Sequence, residues 1–545
     1  MIKEKIMNNS KWAIRLPIII TSAVAIGVLL GANFTTSDTP SGDMNKSLFK
    51  FREVLGYIDR NYVDDVDSEE LVETAIVKML EKLDPHTVYI PKEEAVLAQS
   101  QLQGNFEGIG IEFNIFKDTL YVVTPLSGGP SEKVGLQAGD KIVKVDGENI
   151  AGIGLNNRKV FEKLRGPKGS EAKLQIIRDS KKAPLDFTII RDKIPQSSVD
   201  VSYMVNKEVG YIKVSRFTAT TYDEFYAAME KLIDQGMKKL VLDLTGNPGG
   251  YLDKAVNMAD ELLADDDMIV YTKGKETRYN DEYRAVRKGI FEKGPVVVMI
   301  DQGSASASEI VAGALQDNDR ALIVGRRSFG KGLVQMPINL SDGAELRLTI
   351  SRYYTPSGRS IQKPYDGKDA AYSHDLADRY ENGELFVADS IHVNDTLEYA
   401  TGKGRKVYGG GGIVPDFFVP IDTTETSSYL TKMYTSNSLR EYTFKYYEAN
   451  KQKFEKMGFD EFFNDFNVTD KMLEDLNKVA KENGVKYAAA DFAKSKELVR
   501  IHMKAQIARS NWGEEGFFPV FNQADEIFIK ALTLFDQAEQ LAERN

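Results

Sequence analysis

Three serines spaced two apart, Ser304, Ser306 and Ser308, stand between the apolar run VVVMI at 296–300 and the helix-forming stretch SEIVAGALQD at 308–317. A serine at a strand-to-helix junction meets unpaired N–H groups and the positive end of the helix dipole. These can stabilise the oxyanion formed when its hydroxyl attacks a carbonyl. The small residues between the serines keep such a site open. Spacing alone does not choose among the three, and a serine in this place is also an ordinary helix cap. Lys331 follows in ALIVGRRSFGKG, a glycine-flanked loop after a second buried strand. An amine that is kept from water loses basicity and can then take the proton of a serine hydroxyl.

Composition narrows the chemistry further. The chain has 545 residues and no cysteine, which removes thiol nucleophiles, thiolate metal sites and disulfides. Its four histidines, His86, His374, His392 and His502, are too dispersed for an HExxH zinc helix, and none lies close in sequence to the three serines. Metals and cofactors are therefore not expected. Seventy basic against 81 acidic side chains give a net charge of −11, which disfavours nucleic acid as a partner. One rival reading starts from GRRSFGK at 325–331, which has the G-x-x-x-x-G-K spacing of a phosphate-binding loop. Gly332 stands where Ser or Thr should ligate magnesium, and Pro337 interrupts the helix that should follow, so nucleotide hydrolysis is a minor alternative.

The elements that must position these residues fall into five segments. Residues 16–34 carry no charge and would cover about 29 Å as a helix, enough to cross a bilayer once. Lys3, Lys5, Lys11 and Arg15 precede them, so the amino end is expected in the cytoplasm and the rest exported. Residues 1–43 then read as a signal anchor or signal peptide with its linker, and the protein as periplasmic or extracytoplasmic, attached to the inner membrane by that single segment. Residues 44–103 show helical spacing, with Asp67 as a helix cap. Residues 104–192 change to short β runs with glycine turns. There the loop of Gly108, Ile109, Gly110 and Ile111, followed by GGPSEKVGLQAGDKIVKVDG, resembles a PDZ domain, a module that adds a peptide's last residues to its sheet edge. Residues 193–425 alternate strands and helices, as expected for an α/β core with buried strands. Residues 426–545 are helical again and read as an accessory or homo-oligomerisation domain.

Taken together, GSASASE, Lys331, LDLTGNPGG at 242–250, TPSGRSIQ at 355–362, GGGGIVPD at 409–416 and KLDPHTVYIP at 82–91 resemble the carboxy-terminal-processing, or tail-specific, serine peptidases. The resemblance extends from about residue 49 to residue 420. It implies a multidomain α/β protein: a ClpP/crotonase-like peptidase core, an inserted PDZ module, and helical domains at both ends.

The resemblance also implies roles. Ser306 falls on the nucleophile, Lys331 on the general base and Gln335 on a glutamine that orients the lysine. The oxyanion hole would use the N–H groups of Ala307 and of Gly250, with Gly249 as second choice. The implied substrates are proteins or peptides with free apolar C-termini, whose carboxylate would meet Gly108, Ile109, Gly110 and Ile111. Two departures stand out. Thr245 and Gly246 replace the arginine and asparagine usual after LDL, and residues 374–406 form an acidic, loop-like insertion. Arg165, in the LRGPKG turn, reads as a solvated turn arginine, the alternative being a residue that couples tail binding to the core. The alternative from another class is a non-catalytic exported scaffold that grips protein tails through the PDZ module.

Overall fold

The computed structural model describes residues 42–543 apart from 127, 366–368 and 393–394, so the apolar segment 16–34 lies outside the described residues. Among those described, no helix is long and apolar enough to cross a membrane. The chain divides into two compact units, Met1–Lys78 and Met79–Asn545. In the first, the helix Gly42–Asn61 is followed by the start of the helix Ser68–Leu80. Asp67 caps that second helix, its Oδ1 accepting from the N–H groups of Glu69 and Glu70 at 2.9 and 3.2 Å.

The second unit is organised by a six-stranded sheet. Its order is Val199–Met204, Val209–Val214, Lys239–Asp243, Val296–Ile300, Leu322–Gly325, Phe417–Phe418; the first pair is antiparallel and the others parallel. The strand Val296–Ile300 is buried throughout, which is why its sequence shows no polar alternation. One face is covered by the helices Thr221–Asp234, Leu252–Asp260 and Ala307–Asp317, through Phe225, Met229, Met258 and Val311. The other is covered by the last helices of the chain, whose Ile527, Phe528 and Phe535 pack on Tyr211, Val241 and Met299. Each such apolar side chain contributes about 1.5–3 kcal/mol by leaving water.

A second, antiparallel sheet lies beside this core. The strand Glu345–Tyr354 pairs with Leu333–Asn339, Met268–Gly274 and Val88–Ile90. Residues 84–102 are thereby built into the larger unit, and the helix Lys92–Leu102 runs on from the strand Val88–Ile90.

The β-rich module has the strand order Ile111–Phe116, Thr119–Pro125, Lys141–Val145, Glu171–Ile177, Leu185–Ile190. The helix Asn157–Leu164 packs on it through Val160 and Leu164. The ribbon Asn105–Gly108 with Asp192–Pro195 leads the chain in and out. Beyond the core, helices from Ser428–Thr435 to Ala489–Phe521 enclose their own core around Phe454, Phe462 and Met503. This helical region touches the β-rich module, where Phe116 and Tyr121 meet Phe444. The stretch expected as a loop-like insertion contains most of the helix Asp369–Glu381, which is held by Arg379. That guanidinium reaches back to the carbonyl of Ser328 at 2.8 Å, a contact no local pattern announces.

Candidate active site

The strand Val296–Ile300 runs into the junction that carries the three serines, and the junction separates them. Ser304 is buried and donates to the carbonyl of Leu244 at 2.8 Å; Ser308 is buried and donates to that of Asn247 at 2.9 Å. Both hydroxyls staple this loop to the turn that follows the strand Lys239–Asp243. Ser306 is different. Its backbone takes φ 56° and ψ −112°, a strained conformation for a residue with a side chain, and it is half-buried on the wall of a cavity of about 380 Å³. Lys331, Gln335, Ala307, Gly249 and Gly250 share that wall.

Two backbone donors from different elements share this cavity wall with Ser306. Ala307 opens the helix Ala307–Asp317, so its N–H has no acceptor within the helix. The turn 244–250 supplies the other. Asn247 Oδ1 takes the N–H of Gly249 at 2.8 Å, while Phe217 accepts from Tyr251 N at 2.9 Å and donates to the Gly249 carbonyl at 3.0 Å. Among the described residues the Gly250 N–H is left with no acceptor. Of the two glycines considered from sequence, Gly250 is therefore the one with a free donor. Its φ of 148° and the Phe217 carbonyl, 1.9 Å from where a Cβ would sit, restrict the position to glycine. Where the usual arginine is replaced by Thr245, the Lys213 ammonium bonds the Thr245 carbonyl and hydroxyl at 2.6 and 2.7 Å and Asp243 at 3.0 Å.

Lys331 donates to Gln335 Oε1 at 2.6 Å, and Gln335 Nε2 donates in turn to the carbonyl of His86. Burial pushes the Lys331 amine below its ordinary range. The positive charge of Arg347 pushes it the same way, while Glu309 and Asp84 oppose. No hydrogen bond joins Ser306 Oγ to Lys331 Nζ among the described residues; the amine is parked on Gln335.

Several residues at this site escaped the sequence reading. Glu309, fully buried, accepts from the N–H groups of Ser306 (2.8 Å), Gly330 (2.7 Å) and Lys331 (2.9 Å) and from the Ser328 hydroxyl (2.5 Å). One carboxylate thus ties the serine backbone to the lysine backbone. Burial raises its pKa and these four donors pull it back. Tyr353 adds a second tie, its hydroxyl donating to the Lys331 carbonyl and lying 3.1 Å from that of Ser306. Asp84 folds the segment behind Gln335 by accepting from His86 N and Thr87 N, both at 2.8 Å. His86 lies 2.5 Å from the Tyr372 hydroxyl, and its pKa is lowered to about 4 by burial and then by the Lys331 charge. It is neutral near pH 7. Glu309 had a sequence signal, an acid three residues after a helix cap, which ordinarily marks nothing more than a capping box.

The loop 326–332 leads into the strand Leu333–Asn339, where a phosphate-binding loop needs a helix. That removes the nucleotide reading.

Gly108, Ile109, Gly110 and Ile111 lie apart from the serine, at one end of a groove of about 260 Å³ between the strand Ile111–Phe116 and the helix Asn157–Leu164. That strand is the outermost of its sheet and has one neighbour. The carbonyl of Ile109 accepts from Ser131 N and Oγ at 3.1 and 2.6 Å, and that of Gly110 from Leu126 N at 3.0 Å. Because a trans peptide sets N–H opposite C=O, the N–H groups of Gly110 and Ile111 point the other way, out of the module. Arg165 is not a solvated turn residue. Its guanidinium stacks 4.4 Å from the Phe161 ring centre and 5.0 Å from that of Phe106, its Nε is buried without a partner among the described residues, and burial lowers its pKa.

Comparison with known proteins gives matches along most of the chain. Residues 208–369 match the model for peptidase family S41, residues 108–189 that for the PDZ domain, residues 29–94 that for the activating protease CtpB N-terminal domain, and residues 429–513 a family of unknown function. The carboxy-terminal-processing protease of Bartonella bacilliformis is 37% identical over 394 residues, covering 70% of this chain and 90% of that protein. The carboxy-terminal processing protease CtpB of Bacillus subtilis is 34% identical over 392 residues, covering 69% and 80%. Among solved structures, a photosystem II D1 C-terminal processing protease is 31% identical, covers 58% of this chain and 90% of that one, and superposes with a TM-score of 0.33.

Proposed function

Because the chain belongs to peptidase family S41, the carboxy-terminal-processing proteases, we propose that it is a serine endopeptidase working through Ser306 and Lys331 on protein tails gripped by its PDZ module. The observation that carries this reading is that Ser306, alone of the three serines, lines a cavity with a desolvated lysine amine and with two residues, Ala307 and Gly250, whose backbone N–H groups have no acceptor among the described residues.

A substrate's apolar C-terminus adds as a strand to the open edge Ile111–Phe116, its carboxylate meeting the N–H groups of Gly110 and Ile111. The segment upstream enters the cavity. Lys331, neutral, swings from Gln335 towards Ser306 and takes the hydroxyl proton, a movement its four side-chain torsions permit. The Ser306 oxygen attacks the scissile carbonyl, and the oxyanion is held by Gly250 N–H and Ala307 N–H. Lys331 then gives its proton to the leaving amine, and, neutral again, deprotonates the water that hydrolyses the acyl-enzyme and returns that proton to the Ser306 oxygen. Glu309 keeps the nucleophile and base loops in register throughout. Export through residues 16–34, preceded by four basic residues, belongs to the same reading: the tails acted on lie outside the cytoplasm.

Purified Ser306→Ala and Lys331→Ala should each lose peptide hydrolysis while keeping wild-type circular dichroism. The scaffold alternative needs neither residue, so full activity in folded Lys331→Ala would remove the dyad.

A further inference from the structure

A cavity that accepts any polypeptide has no need of walls of one charge. Around Ser306 the described lining carries, besides the Lys331 amine, two guanidiniums, Arg216 and Arg347, and no carboxylate, in a chain whose net charge is −11. Lys331 is satisfied by Gln335. The two guanidiniums have capacity to spare. Arg347 is ion-paired through Nε with Glu345 Oε1 at 2.6 Å, but its Nη2 is buried and has no hydrogen-bond partner among the described residues. The Arg216 side chain makes no ion pair or hydrogen bond among the described residues.

Their positions bracket the reacting centre. Arg216 immediately precedes Phe217, whose backbone holds both Gly249 and Tyr251, so it flanks the oxyanion turn. Arg347 lies on the strand Glu345–Tyr354, two residues from Thr349, which pairs with Gln335, so it shares that strand's face beside the lysine's partner. A buried guanidinium nitrogen without an acceptor is costly, and its natural complement is a carboxylate, which takes two parallel N–H bonds.

We infer that Arg216 and Arg347 are specificity-determining residues that select substrates bearing a carboxylate beside the scissile bond. The inference rests on the peptidase reading of Ser306 and narrows its substrate class. The carboxylate has two sources, an Asp or Glu side chain near the cleaved bond or the free end of a tail only two or three residues beyond it. Local cations also offset the repulsion that a chain of net charge −11 exerts on an acidic segment.

Quenched fluorescent peptides test this. One set is amidated at the C-terminus and differs only in carrying Glu, Gln or Lys at the residues flanking the cleaved bond; the other ends shortly after that bond as free acid or amide. The quantity read is the ratio of kcat/KM for acid over neutral peptide within each protein. The wild type should show a ratio of about ten or more in at least one set. The ratio should fall in Arg216→Gln and in Arg347→Gln, approach one in the double variant, and invert towards the Lys peptide in Arg216→Glu. A preference confined to the first set identifies a side chain; confined to the second, a terminal carboxylate. A ratio near one in the wild type, or one unchanged in the double variant, overturns the inference. If the wild type cleaves no peptide, the peptidase reading fails separately. Fluorescence anisotropy of both sets on the Ser306→Ala protein then gives the same ratio in binding and decides the matter.

Discussion

Gly250→Ala is the sharpest perturbation of the oxyanion site. The new methyl would sit 1.9 Å from the Phe217 carbonyl oxygen, roughly 1.5 Å inside ordinary contact. Neither side yields easily, because Phe217 is bonded to Gly249 on one side and to Tyr251 on the other. Relief therefore comes from swinging the 249–251 backbone, which carries the Gly250 N–H away from the developing oxyanion. Losing one such donor costs about 2.7–4 kcal/mol of transition-state stabilisation, a fall of roughly 10²–10³ in kcat. Binding of a tail peptide to the PDZ groove should stay unchanged, since Gly110 and Ile111 are elsewhere. Gly246→Ala is the control: it lies in the same turn with φ 68° but has nothing within 4 Å of the added methyl, so it should cost about 1–2 kcal/mol of stability and leave kcat near wild type. The assay is peptide turnover at saturating substrate, with thermal melts to certify folding. Folded Gly250→Ala with wild-type kcat would refute the donor assignment.

Four further outcomes follow from the electrostatics and the groove. The proposed dyad needs Lys331 neutral, so the acidic limb of kcat/KM against pH should report its deprotonation; Arg347→Gln removes a charge that depresses it and should move that limb to higher pH. An unmoved limb would show that Arg347 does not act on the amine. The unfolded chain binds the Lys331 proton up to its ordinary range while the native chain releases it earlier, so native stability rises with pH across that window. Lys331→Met removes this cost and should melt at or above the wild type at pH 7, whereas a lower melting temperature would mean that the amine is not penalised by burial. Glu309→Gln leaves an amide N–H₂ facing one of the N–H or hydroxyl donors and should destabilise by about 2–4 kcal/mol in urea unfolding, with activity falling in step. Amidating the end of a long tail peptide should suppress its cleavage; equal turnover of acid and amide would rule out carboxylate capture by the groove.

The α/β core and the PDZ module were readable because their signals are local. Unbroken apolar strands such as Val296–Ile300 and Leu322–Gly325, glycine turns, and the amphipathic helix Thr221–Asp234 each declare themselves within a dozen residues. The choice among three serines was not local. It depends on a positive φ at Ser306, which the spacing S-A-S-A-S does not encode, and on acceptors at Leu244 and Asn247, some 60 residues earlier, that occupy the other two hydroxyls. Asp84 and His86 act on Gln335 across 249 residues of sequence through the pairing of Val88–Ile90 with Glu345–Tyr354. No periodicity within 82–91 points there. The helix within 369–381 was hidden by a polar composition that reads as loop, and its anchor, Arg379, finds its acceptor only once the loop at Ser328 is in place.

The site also poses an electrostatic conflict that its geometry answers. A buried carboxylate whose Oε2 accepts the Lys331 N–H should hold the neighbouring amine protonated, which would leave Ser306 without a base. Glu309 avoids this by turning its oxygens to four backbone and hydroxyl donors, which draw its charge into hydrogen bonds away from the ammonium. Burial then lowers the basicity of the amine most, and the positive charge of Arg347 adds to it. In the proposed dyad the same cation therefore adds to burial in lowering the basicity of Lys331 and also lines the cavity the substrate enters. A carboxylate arriving at Arg347 would weaken its hold on Lys331, so an acidic substrate should shift the acidic limb of kcat to higher pH than a neutral one does. Identical limbs for the two substrates would separate the two roles assigned to Arg347.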